Sequence, residues 1–163
     1  MKNKTQRFIG IFLSICVILG TCMPVYAAEE VPRLGEVVDG SVLIDDISSE
    51  SNLYNRARGN ILNRGFAKIT NNGDGSVNVY GAVLPAVKCD TLTLKMTIQR
   101  LENGSWANVK TYSDVVSNTT YLSKSYNYNV KGGYYYRLKA ACVAVKGSTS
   151  ESLMPITDGL WID

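Results

Sequence analysis

The sequence predicts an all-β protein: a single antiparallel β-sandwich of about seven strands, set behind a helical signal peptide and a flexible leader. Three observations predict it. Four runs beyond residue 76 alternate apolar and polar residues with period two. Asn-Gly and Gly-Gly dipeptides separate such runs at near-regular spacing. No stretch after the opening apolar segment sustains a period of 3.6.

The N-terminus sets the expected compartment. Lys2, Lys4 and Arg7 form a positive region, and an apolar run from Phe8 to Cys22 follows. At roughly 15 residues the run is shorter than the ~20 a spanning helix needs. It fits the core of a signal peptide, with Pro24 breaking the helix and Val25-Tyr26-Ala27 as the cleavage site. Residues 1–27 are therefore read as an export signal, and the mature chain is expected outside the cell, with no transmembrane segment. Two other readings stand beside it. One is an uncleaved membrane anchor. The other is a lipoprotein acylated at Cys22, since Leu19-Gly20-Thr21-Cys22 is a degraded lipobox with Thr21 where Gly, Ala or Ser is usual.

Residues 28–56 read as an acidic, flexible leader. Between Ala28 and Glu50 seven acidic residues face Arg33 alone, and Val42-Leu43-Ile44 is the one apolar cluster. From Ser51 onward 13 Lys and Arg outnumber 7 Asp and Glu, but the basic residues are scattered along the chain. A solvated surface accounts for them, and no nucleic-acid partner is expected.

Residues 57–163 are the expected β-domain. In its first clear strand Val77, Val79, Gly81 and Val83 alternate with Asn78, Tyr80 and Ala82. Leu92, Leu94, Met96 and Ile98 then alternate with Thr93, Lys95, Thr97 and Gln99, so one face of this strand is buried. Tyr126, Tyr128 and Val130 share a face, as do Tyr134, Tyr136, Leu138, Ala140 and Cys142. Asn103-Gly104 supplies the positive φ that a tight hairpin requires. About 107 residues suffice for one core.

Chemistry is sparse. The chain has no His, which removes the commonest general base and a frequent metal ligand. Asn71-Asn72-Gly73-Asp74-Gly75 has too few carboxylates for a calcium loop and reads as a turn. Nothing marks a pair among the seven carboxylates of the domain, so neither a catalytic set nor a cofactor is expected. Cys89 and Cys142 either pair, as exported cysteines can, or stay as separate buried thiols. The best binding candidates are rings: Trp106, Tyr112, Tyr135 and Trp161 would either stack on a ligand or cap the core with their polar tips in water.

The stretch from Arg58 to Asp163 resembles a family of small secreted proteins of Gram-positive, clostridial-type anaerobes, a domain of unknown function. The resemblance is carried by Asn71 to Gly81, Cys89-Asp90, Ile98 to Trp106, Gly133 to Lys139 and Asp158 to Asp163. It implies a Gram-positive origin and brings no activity or site. A looser resemblance runs to fibronectin type III and immunoglobulin-like sandwiches, through Tyr136-Arg137-Leu138-Lys139-Ala140 and the Gly-Ser turn after it. The core Trp of those folds is missing. In a fibronectin-like layout Cys89 would open the third strand and Cys142 would lie late in its antiparallel neighbour, the sixth. A bend near Asp90 would be needed to bring Cys89 onto the core face.

The expected function is a non-catalytic extracellular or cell-surface module that binds a glycan or a protein. The alternative is a secreted inhibitor or immunity factor against a toxin or enzyme. A carboxylate-dependent hydrolase is the third reading.

Overall fold

A computed structural model describes residues 32–56 and 61–163. The expected signal peptide, its cleavage site, Cys22 and the start of the expected domain at residue 57 lie outside the described residues. Among the described residues no helix is long and apolar enough to cross a membrane.

The fold is all-β. Eleven strands follow in order: β1 (Val37–Val38), β2 (Ser41–Ile44), β3 (Ser48–Tyr54), β4 (Leu62–Asn71), β5 (Ser76–Pro85), β6 (Cys89–Glu102), β7 (Ser105–Thr119), β8 (Leu122–Asn129), β9 (Tyr134–Lys146), β10 (Thr149–Leu153) and β11 (Gly159–Ile162). They form two sheets that do not close into a barrel. The larger has the order β1-β2-β11-β9-β6-β7, and the smaller β3-β4-β5-β8. One edge of β9 is shared, with β11 pairing at its start and β10 at its end.

The alternating residues explain the core. Val77, Val79 and Val83 of β5 and Ala67 and Ile69 of β4 meet Leu92, Leu94, Met96 and Ile98 of β6, and Leu138, Ala140 and Cys142 of β9. All of these are fully buried. Gly81 permits the close approach of the sheets, because a Cβ there would lie 2.7 Å from the Met96 sulfur. Asn103 and Gly104 take φ values of 51° and 72°, the geometry of a tight hairpin between β6 and β7. At the corner between β8 and β9, the Tyr136 hydroxyl donates to the Lys131 carbonyl at 2.8 Å and accepts from the Lys131 N–H at 3.1 Å.

The leader expectation is corrected over residues 37–54, which form β1, β2 and β3. Leu43 is 1 % exposed, and β2 runs parallel to β11. β3, with the polar sequence SSESNLY, pairs along its whole length with β4. The ladder uses main-chain groups, so a polar strand pairs as well as an apolar one wherever an open edge is offered. Composition measures side chains and is blind to that edge.

Candidate functional site

Three of the four candidate rings meet on the outer face of the larger sheet. Tyr135 and Trp161 are cross-strand partners with ring centroids 4.9 Å apart in an edge-to-face contact. Trp106 and Trp161 pack against the same small cluster of Leu43, Leu101 and Tyr135, roofed by the turn between β1 and β2. The polar tips of both indoles are already engaged. Trp106 Nε1 donates to the Val38 carbonyl at 3.2 Å, and Trp161 Nε1 to Asp163 Oδ1 at 2.7 Å. These rings act as a second, outer core. Tyr112 sits elsewhere, between the edge strands β7 and β8. It stacks on Tyr126 at 4.1 Å with the rings 3° from parallel, and both pack against the main core.

Beneath Trp106 lies Arg137, a buried cation that the sequence pattern does not single out. Its guanidinium carbon is 4.3 Å from the Trp106 ring centre. Nε donates to Gln99 Oε1 at 2.8 Å, Nη1 to Ser41 Oγ at 2.6 Å and to the Asp39 carbonyl at 3.1 Å, and Nη2 to Asp39 Oδ2 at 3.0 Å. Burial lowers its pKa, and the Asp39 charge opposes that shift. Gln99 passes the chain on, donating from Nε2 to Asn108 Oδ1 at 2.8 Å.

The two cysteines are separate buried thiols. β6 and β9 are antiparallel neighbours, but Cys142 faces Leu94, and Cys89 begins β6 five residues earlier. At ~3.3 Å per residue that offset is about 16 Å, beyond the ~7 Å between Cα atoms that a disulfide spans. The phase of burial slips between Cys89 and Leu92, which turns Cys89 inward as the bend near Asp90 requires. Its thiol donates to the Val87 carbonyl at 3.4 Å. The Cys142 thiol donates to the Ala82 carbonyl at 3.5 Å, and burial pushes its pKa up to about 12, which makes it a poor nucleophile.

The carboxylates of the expected domain are occupied with structure. Asp74 accepts from the N–H and hydroxyl of Ser76, which holds its carboxyl below the usual range. Asp90 accepts from the Gly147 N–H, and Asp158 from that of Val42. Glu151 accepts from the Leu62 N–H and from Asn55. Asp114 accepts from the Tyr126 hydroxyl, Glu102 pairs with Arg100, and Asp163 holds Trp161.

An aromatic surface that sequence reasoning missed covers the outer face of the smaller sheet. Phe66 and Tyr80 make an edge-to-face pair at 5.7 Å. The hydroxyls of Tyr80 and Tyr121 lie 3.0 Å apart. The Arg64 guanidinium sits 5.7 Å from the Tyr54 ring centre and donates to the Tyr54 hydroxyl at 3.3 Å. Tyr54 and Tyr121 are 55 % and 48 % exposed, so both rings keep surface open to solvent. Beside them Asn78 bonds Ser125 and Asn127 in a polar strip. The signal for Tyr80 was present, since it opposes Val77 and Val79 in the period-two run. Tyr54 was hidden in the acidic segment, and Tyr121 in the turn before β8.

No protein-family model matches this chain, and a search of curated proteins finds no significant relative.

Proposed function

We propose that the protein is an exported, non-catalytic extracellular module that binds a glycan on the outer face of its smaller sheet. The observation that carries this reading is the cluster of Tyr54, Phe66, Tyr80 and Tyr121, with Arg64 and the Asn78–Ser125–Asn127 strip beside it. Exposed rings stack on the apolar faces of sugars, and amides and hydroxyls bond their rims. The engagement of each domain carboxylate in a structural bond favours binding over hydrolysis.

The frame we infer is a fibronectin type III-like sandwich. Without β1–β3 and β10, the remaining strands have the orders β4-β5-β8 and β11-β9-β6-β7, a three-on-four arrangement of that kind. The Tyr136 hydroxyl bonded back to Lys131 matches the tyrosine corner of such folds. Export rests on the N-terminal charge and apolar run, and kinship with secreted Gram-positive proteins on the resemblance of residues 58–163.

Incubating the protein with peptidoglycan, mucin and polysaccharide arrays tests the reading. Binding should weaken in Tyr54→Ala and Tyr121→Ala and persist in Tyr112→Phe. Hydrolysis of any of these glycans, or binding indifferent to both substitutions, overturns it. The inhibitor reading draws on the open outer edge of β7, which offers main-chain groups to a partner strand. A stoichiometric protein partner recovered from the producing culture would favour it.

A further inference from the structure

The outer face of the larger sheet carries a second feature, in the open half beyond the Trp106 cluster. Lys95 of β6 and Lys139 of β9 project there from neighbouring strands. Lys95 faces Ala141 and Thr97 faces Lys139, so the two lysines occupy diagonal positions on one face. Diagonal side chains on adjacent strands are within reach of each other, and like charges so placed repel. With Thr97, Asn108 and Met154 they line an open basin of about 230 Å³.

Neither lysine has an ion-pair partner among the described residues. Several other cations on the two sheets are engaged. Lys68 pairs with Glu50 and Lys124 with Asp114, while Lys110 and Lys131 lie over tyrosine rings. Asn108 adds a third donor. Its Oδ1 is taken by Gln99, whose own oxygen is held by Arg137, so the Asn108 amide nitrogen is the end left to face a ligand. The buried arginine thus orients a donor at the rim of the basin, two strands away.

Two ammonium groups and one amide N–H₂ around a hollow, with the Thr97 hydroxyl beside them, make a site rich in donors and without a carboxylate in its lining. We propose that this basin binds a sulfate or phosphate group carried on a saccharide. The anion relieves the repulsion of the two lysines and accepts from Asn108. A liquid water fills about 30 Å³, so the basin has room for more than a bare ion. Met154, 47 % exposed at its margin, offers an apolar wall to the carrier. Only the choice of a sugar as carrier rests on the glycan-binding reading; the oxyanion site stands on its own residues.

The test is a chemical-shift titration of the isotope-labelled protein with glucose 6-sulfate, glucose 6-phosphate, inorganic sulfate and glucose. Both sugar esters should shift Lys95, Thr97, Asn108 and Lys139, with inorganic sulfate weaker at the same residues. Lys139→Ala should weaken the esters about tenfold or more, Asn108→Ala should weaken them less, and the exposed Lys146→Ala should leave them unchanged. A Lys95→Gln variant, at an exposed position, provides a folded control for loss of charge. Silence of the basin toward all three anions overturns the proposal, as does a response that survives Lys95→Gln with Lys139→Ala. Shifts confined to Tyr80 and Tyr121 with plain glucose would overturn it while leaving the glycan-binding face intact. A basin that responds while that face stays silent would support this site and sink the other.

Discussion

On its inner face the larger sheet presents Leu92, Leu94 and Met96 of β6 beside Ala140 and Cys142 of β9, all fully buried under the smaller sheet. On its outer face the same two strands present Thr93, Lys95, Thr97, Lys139 and Ala141. Among the described residues that outer face is covered at one end, where the β1–β2 turn roofs Trp106, Tyr135 and Arg137. The difference teaches that alternation decides which residues share a face, whereas burial needs a second piece of chain to arrive. Where the roof ends, between Gln99 and Lys95, the face changes from packed aromatic to open and basic.

The sharpest way to break this comparison is to place a carboxylate on each face. Leu94→Asp or Met96→Asp should abolish folding, since an unpaired buried charge costs several kcal/mol against a total of roughly 5–15 kcal/mol. Lys95→Asp and Thr97→Asp should stay within about 1 kcal/mol in urea denaturation. Equal losses on both parities would mean that the register is wrong.

The next effect is carried by a proton on the inner face. Unfolded, the Cys142 thiol ionises near pH ~8.5–9. Folded, burial holds its proton until about pH 12. Unfolding therefore releases a proton in that window, so this contribution to stability is complete below about pH 9 and lost as pH rises toward 12. The loss is on the order of 4 kcal/mol at the top of the range. Denaturation of Cys142→Ala should show a flatter pH dependence between pH 9 and 11 than the parent, and identical slopes would refute the shift. In the same vein, thiol labelling of the exported form, cleaved after Ala27, should find two free thiols per chain after denaturation without reductant.

Smaller losses are expected beneath the roof. Arg137→Ala removes several hydrogen bonds to a buried charge and should cost about 2–3 kcal/mol. Because the guanidinium lies against Trp106, tryptophan fluorescence should change as well. Asp39→Asn keeps the bonds to its carbonyl and tolerates the φ of 48° there. Its carboxylate is 62 % exposed, so that change should cost no more than about 1 kcal/mol and shrink further in salt. An Arg137→Ala protein as stable as the parent would show the roof to be an ornament of the sheet. Smallest of all, Tyr121→Ala on the open aromatic face should alter stability by no more than about 0.5 kcal/mol while weakening glycan binding, which separates a ring held for a ligand from one held for packing.

Much of the frame was legible in the chain. The run from Leu92 to Ile98 marked β6 and its buried face, Val77 to Val83 marked β5, and Asn103-Gly104 marked the hairpin that joins β6 to β7. The candidate rings were less legible. Trp106, Tyr135 and Trp161 were visible as aromatics, but not that strands far apart in sequence bring them together and engage the N–H groups of the two indoles. Tyr54 and Tyr121 were passed over because they lie outside any clear period, one in a polar strand and one in a turn.

By itself the sequence determined parity and punctuation, because pleating forces neighbouring side chains to opposite faces and glycine or asparagine alone accepts positive φ cheaply. The tertiary structure decided everything that depends on which edges meet. It gave the polar β3 a partner in β4 and bound β2 to β11 through main-chain bonds that no side chain advertises. It set the register that holds Cys89 and Cys142 apart although their strands are neighbours. It also joined Lys95 to Lys139 on one face, with no carboxylate paired to either among the described residues, since lateral neighbours in a sheet are fixed by strand order and offset, which a one-dimensional pattern does not contain.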